Sequence, residues 1–279
     1  MKLLRVGAPG AEKPAILAAD GSIRDLSATV HDFDAATLSP GGLERLAQLN
    51  PMSLPVAAPG RIGPCVPRPL NFICIGLNYA DHAAETGAAI PKEPIVFLKS
   101  LGAFCGPNDD VHIPRGSTKT DWEVELCIVI GSRASYVSEA GAMDHVAGYC
   151  IVNDVSEREY QIERGGTWDK GKGCDTFGPT GPWLVTKDEV PDPQKLAMFL
   201  DVDDKRMQTG STATMIFGVA KLVSYVSHFM TLHPGDLIST GTPPGVGLGM
   251  KPPVYLHAGQ TMRLGIAGLG EQVQRVLQG

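Results

Sequence analysis

Three carboxylates carry the first chemical signal in this sequence. In Asp121-Trp122-Glu123-Val124-Glu125-Leu126-Cys127-Ile128-Val129-Ile130, strand alternation puts Glu123 and Glu125 on one face and Val124, Leu126, Ile128 and Ile130 on the other. The glutamate face continues with Cys127 and Val129, so it turns apolar and is expected to be buried. Two half-desolvated carboxylates about 7 Å apart along a strand repel each other unless a proton or a cation intervenes. A hard divalent ion with oxygen ligands resolves that repulsion; a solvated strand end is the other reading. A third acid, Asp154, stands at the end of the apolar run 147–153, and strand ends opening onto a shared cavity collect catalytic side chains. Asp154 could equally cap a helix starting at Ser156-Glu157-Arg158-Glu159. Together the three acids would give an octahedral Mg²⁺ or Mn²⁺ site with positions open for water and substrate.

Other segments offer proton transfer and anion binding. Asn78-Tyr79-Ala80-Asp81-His82-Ala83-Ala84-Glu85-Thr86-Gly87 reads as one or two helical turns stopped by Gly87. His82 and Glu85 share a face there, so a carboxylate can hold an imidazole as a general base; such pairs are also common on idle surfaces. Lys170 and Lys172 lie among glycines, either as surface lysines or with Lys172 buried near an anion. The run Ser239-Thr240-Gly241-Thr242-Pro243-Pro244-Gly245-Val246-Gly247 lacks both the Walker and the dinucleotide pattern. Its backbone N–H groups and threonines could receive a carboxylate, or it is a structural turn.

Positioning these groups falls mainly to strands. The 279 residues include 33 Gly and 22 Pro, which favours short strands and tight turns in a β-rich α+β fold. Strands are expected at 1–7, 70–76, 95–99, 123–130, 147–153, 183–186, 199–202, 237–240 and 261–266. A short helix is expected at 42–49 and one long helix at 213–230, with Val219, Leu222, Val223 and Val226 on its apolar face. A proline-rich connection at 51–69 suggests a small N-terminal domain over 1–69 and a catalytic domain over 70–279. With 24 Lys+Arg against 30 Asp+Glu, the net charge of −6 speaks against nucleic-acid binding. No apolar run is long enough for a membrane span and the first residues lack a signal-peptide pattern. The six cysteines form no CxxC pair and are expected as free thiols of a cytoplasmic protein.

Taken in order, these motifs resemble the fumarylacetoacetate hydrolase superfamily. The matching residues are Ile75-Gly76-Leu77-Asn78-Tyr79, His82, Glu85, Asp121-Trp122-Glu123-Val124-Glu125-Leu126, Gly148-Tyr149, Asn153-Asp154-Val155-Ser156 and Gln161. They continue through Lys172, Asp175-Thr176-Phe177-Gly178-Pro179, Pro234-Gly235-Asp236 and Thr240-Gly241-Thr242-Pro243. The resemblance implies a mixed β-sheet roll or barrel over about 70–270, usually in a homodimer, with a higher homo-oligomer also open. It implies Glu123, Glu125 and Asp154 as Mg²⁺ or Mn²⁺ ligands and His82–Glu85 as a dyad on a lid helix. Lys172 and Gln161 would stabilise oxyanion character, and Tyr79, Arg158, Thr240 and Thr242 would meet the substrate. One departure is Glu157-Arg158-Glu159, where such proteins commonly carry Ala-Arg-Asp; the extra acid points to a subfamily-specific pocket or interface.

The stretch 156–173 looks similar to hydrolases of 2,4-diketo-3-deoxy sugar acids from L-rhamnonate or L-fuconate breakdown, often labelled ureidoglycolate lyase. The expected activity is metal-dependent hydrolysis of a C–C bond in a 2,4-diketo acid, giving pyruvate and a smaller acid. Ureidoglycolate lyase, acylpyruvate hydrolase and oxaloacetate decarboxylase are alternatives, and a keto-acid binding protein without turnover is the non-enzymatic one. The small residues around His82 lead us to expect a lid that is mobile until ligand binds.

Overall fold

In the computed structural model the backbone of residues 1–279 is described, with every side chain except that of Thr86. Its centre is a ten-stranded mixed sheet. In spatial order it runs Ile23–Asp25, Lys13–Leu17, Lys2–Val6, Gly178–Thr186, Val146–Asn153, Val124–Ile130, Leu237–Ser239, Phe72–Gly76 and Ile95–Leu98, with Phe104–Cys105 added beside Gly178–Thr186. A five-stranded sheet, Lys205–Ser211, Ala197–Val202, Thr261–Ile266, Gly270–Gln278 and Val111–Ile113, packs against it. The large sheet ends in Ile23–Asp25 and Ile95–Leu98, so the fold is an open roll; the closed-barrel alternative does not hold.

The central strand Val124–Ile130 is buried along its whole length because both of its faces carry core. Val124, Leu126, Ile128 and Ile130 belong to the core shared with the five-stranded sheet and the Val219–Ser227 helix. Cys127 and Val129 belong to a second core on the other face, with Leu3, Ile16, Phe33 and Leu184 of other segments. The N-terminal residues take part directly, since Leu3 pairs with Leu184. The first 69 residues therefore extend the main sheet and cover its second face.

The long helix is shorter than its apolar pattern suggests. A 3₁₀ turn at Thr212–Thr214 precedes an irregular stretch, and the helix proper is Val219–Ser227. Tertiary hydrogen bonds claim the intervening backbone: Asn78 accepts from Ile216 N at 2.7 Å and from Phe217 N at 2.8 Å. Gln194 Oε1 then accepts from Val219 N at 2.9 Å, capping the helix from a distant segment. The buried positions of that helix include Val219, Leu222, Val223 and Val226, the face read from the sequence. The short helix expected at 42–49 runs Pro40–Ala47. All six cysteines are free, and among the described residues no helix is long and apolar enough to cross a membrane.

Candidate active site

Strand register assembles the acids. Glu125 lies opposite Val152 and Val124 opposite Asn153 in the antiparallel pair Val124–Ile130 and Val146–Asn153. One step further, Asp154 N donates to Glu123 O at 2.9 Å, so Asp154 falls on the same face as both glutamates. One oxygen from each of Glu123, Glu125 and Asp154 lies within 4.8 Å of the others, and all three residues are buried. Asp154 does not begin a helix: Ser156–Glu157 is a strand paired with Thr120–Asp121.

Each carboxylate is held differently. Glu123 accepts from Arg158 Nη2 at 2.7 Å and from Lys172 Nζ at 2.6 Å. Burial pushes its carboxyl up, but the charges of Lys172 and Arg158 overcome that and hold it well below the usual range. Asp154 accepts from Lys172 Nζ at 2.8 Å through Oδ2, while Oδ1 forms an ion pair with Lys99. Glu125 Oε2 accepts from Ser239 Oγ at 2.6 Å and from Gly241 N at 2.9 Å. Burial, then the charges of Asp154 and Glu123, push its carboxyl well above the usual range. Gly241 has φ +92° and a Cβ there would lie 2.9 Å from Asn78 Cβ, so this donor requires glycine.

Lys172 is buried on the short helix Asp169–Lys172, which settles its two readings in favour of the interior. Burial lowers its pKa, but Asp154 and Glu123 override that and raise it. Arg158 reaches Asp121 Oδ2 with Nε at 2.8 Å and Gln161 Oε1 with Nη1 at 3.0 Å, so its whole fork is engaged within the protein. The acid next to it, Glu157, is buried and satisfied by Ser117, Thr120 and the Glu159 backbone; it supports the short strand pair rather than the pocket.

A pocket of about 170 Å³ opens above the acids, lined among others by His82, Glu123, Glu125, Asp154, Arg158, Gln161, Lys172 and Thr242. Its apolar part includes Phe97, Ile162, Trp168, Leu248 and Ile75. His82 Nδ1 lies 3.0 Å from Glu85 Oε2 on the Ala80–Thr86 helix, which ends at Gly87 with φ 68°. Glu85 also accepts from Gly245 N at 3.1 Å, which ties this helix to the glycine-rich loop. Tyr79 and Thr240 do not line the pocket: the Tyr79 hydroxyl meets Met198 Sδ in the core, and Thr240 Oγ1 donates to Leu126 O at 2.9 Å. The Thr242 hydroxyl is engaged by Val124 O and Gln208 Nε2, each at 2.9 Å.

Two supporting residues have roles that their sequence motifs do not show. Lys99, buried at the end of Ile95–Leu98, donates to Lys172 O at 2.6 Å and Val155 O at 3.0 Å. A lysine closing an apolar strand was its only signal. Asp121 accepts from Trp122 N, Gly247 N and Leu248 N besides Arg158, anchoring the glycine-rich loop to the site.

The donors suit a hard divalent ion: three buried carboxylates, each with an oxygen within 4.8 Å of the others. With all four ionised, the acids Asp121, Glu123, Glu125 and Asp154 outnumber the bases Lys99, Arg158 and Lys172 by one negative charge. A divalent cation held by the three ligand acids would turn this into one net positive charge. The family model of the fumarylacetoacetate (FAA) hydrolase C-terminal region matches residues 71–277.

The chain belongs to this family.

Fumarylacetoacetate hydrolase from Exiguobacterium antarcticum shares the fold, with TM-score 0.86 at 33% identity and 100% of both chains covered. A 2-hydroxyhepta-2,4-diene-1,7-dioate isomerase from Mycobacterium marinum aligns with TM-score 0.75 at 30% identity, over 100% of this chain and 98% of that one. A Burkholderia multivorans protein named only in general terms, as a hydrolase, is 66% identical over 276 residues, 98% of each chain. Fumarylacetoacetate hydrolase family members include hydrolases and isomerases, so membership makes this chain similar to enzymes without fixing which bond it acts on.

Proposed function

We propose that this protein hydrolyses the C3–C4 bond of a small 2,4-diketo acid, releasing pyruvate and a carboxylic acid. The observation that carries the reading is the acid triad, its oxygens within 4.8 Å of one another, in a pocket that His82 also lines. Glu123, Glu125 and Asp154 would hold Mg²⁺ or Mn²⁺. A divalent ion bound there supplies Lewis acidity to the substrate's α-keto acid end.

The chain's own residues do the rest. His82, oriented by Glu85, accepts a proton as water adds to the C4 carbonyl. The C3–C4 bond then breaks with its electron pair on C3, and that carbon takes up a proton to complete pyruvate. Lys172 supplies a fixed positive charge beside the developing oxyanion. Gln161, whose Oε1 is occupied by Arg158, offers its amide N–H groups to the ligand. At about 170 Å³ the pocket falls below the ~300–1,000 Å³ of sites for drug-sized ligands, in keeping with a small acid.

The tail of the substrate separates two forms of this reading. A 2,4-diketo-3-deoxy sugar acid carries hydroxyls beyond C4, whereas an acylpyruvate carries an alkyl group. The apolar lining by Phe97, Ile162, Trp168 and Leu248 favours the acylpyruvate. Product release from 2,4-diketo-3-deoxy-rhamnonate, acetylpyruvate, ureidoglycolate and oxaloacetate, each with Mg²⁺ or Mn²⁺, tests the proposal. Pyruvate plus a second acid from either diketo acid supports it. Turnover of ureidoglycolate or oxaloacetate alone, or tight pyruvate binding with no turnover of the panel, overturns it.

A further inference from the structure

Behind the small pocket lies a much larger apolar groove of about 920 Å³, bounded by Ile95, Leu98, Val226, Phe229 and Met230. Phe97 and Trp168 line both spaces, so these two rings stand between the metal-ligand pocket and the groove. They meet edge to face, with centroids 5.4 Å apart and planes at 64°.

The partition is braced from several sides. Trp168 lies directly on the Gly76 backbone: a Cβ at Gly76 would come 2.3 Å from its Cζ3, so only glycine leaves room for the indole. Lys172 Nζ sits 5.3 Å from the Phe97 ring centroid, within cation–π range. Asp169 Oδ1 accepts from Leu98 N at 3.0 Å, fastening the residue next to Trp168 to the strand that carries Phe97. The Asp169–Leu98 bond and the Lys172–Phe97 contact do not involve the indole, so shortening residue 168 should open the wall while its backbone stays in place.

We infer that Trp168 is a specificity-determining residue that closes the apolar end of the pocket and limits the ligand to a short tail. This rests on the keto-acid reading above, and binding separates the two ideas. The probes are pyruvate, 2-oxobutyrate, 2-oxohexanoate and 2-oxooctanoate, titrated calorimetrically into the Mg²⁺-loaded full-length protein. The readout is the ratio of the Kd for 2-oxooctanoate to that for pyruvate within each variant.

In the unmodified protein this ratio should exceed tenfold in favour of the short acids. Trp168→Ala should shift it at least tenfold towards 2-oxooctanoate, and Trp168→Leu should fall between, which keeps the test open if the alanine variant folds poorly. An unchanged ratio in a folded variant that still binds pyruvate overturns the wall while leaving the keto-acid reading intact. Equal binding of long and short acids by the unmodified protein does the same. Failure of every acid to bind the unmodified protein overturns both.

Discussion

Arg158 and Glu123 form a buried ion pair in which Nη2 donates to Oε1 at 2.7 Å while Nε of the same guanidinium reaches Asp121. One arginine thus fixes a candidate metal ligand and the acid that anchors Gly247 and Leu248. Removing it takes the arginine from two buried carboxylates, leaving Glu123 with Lys172 and Asp121 with backbone N–H donors only. Arg158→Leu should cost about 3–5 kcal/mol in unfolding free energy, the usual penalty for breaking a buried pair from one side. Chemical denaturation measures this, and a loss below about 1 kcal/mol would show that the fork contributes little.

Glu125 offers a cleaner way to remove a ligand. Burial and its acidic neighbours raise its pKa in the metal-free protein, so the folded state holds a proton that the unfolded chain gives up. The contribution is full below the ordinary glutamate range, near ~4.3, and is lost as pH rises, by at most about 1.4 kcal/mol per pH unit. Glu125→Gln cannot ionise. At pH 8 the metal-free variant should be as stable as the parent or more so, yet gain no thermal protection from Mg²⁺ or Mn²⁺. Retained protection by either metal would remove Glu125 from the ligand set.

His82→Ala separates proton transfer from binding. With the acid triad untouched, affinity for Mg²⁺ and for oxalate should change less than about threefold, while diketo acid hydrolysis falls by 10² or more. Loss of the metal, or hydrolysis at the parent rate, would mean that another group is the base.

The six cysteines should be inert in the native protein. Burial raises the thiols of Cys74, Cys105, Cys127 and Cys174, taking Cys105 to about 12, while thiol–thiol hydrogen bonds raise Cys65 and Cys150. The nucleophile is the thiolate, so at pH 8 a disulfide reagent should react slowly, partly exposed Cys174 first, and with all six only in guanidinium chloride. Stability should fall as pH climbs past the ordinary thiol range, near ~8.5, because only the unfolded chain can ionise there. Rapid reaction of several native thiols would contradict the burial of this second core.

The sequence by itself determined which acids share a strand face and much of the local structure. Alternation along 123–130 placed the two glutamates on one face with apolar residues to either side, because side chains in a strand have a period of two whatever they pack against. Gly87 ended the His82 helix for an equally local reason, its left-handed backbone. What the tertiary structure decided is which distant residues meet. Antiparallel register sets Asp154 beside Glu123, and Asn78 draws 216–217 out of the long helix. Lys99 and Asp121 complete the site through contacts with Asp154 and Arg158, 55 and 37 positions away along the chain. Tyr79 and Thr240 fit the motif, yet their hydroxyls bond inside the core. A residue's type sets what it can bond, but burial and the nearest available partner settle what it does bond, and both are properties of the folded chain.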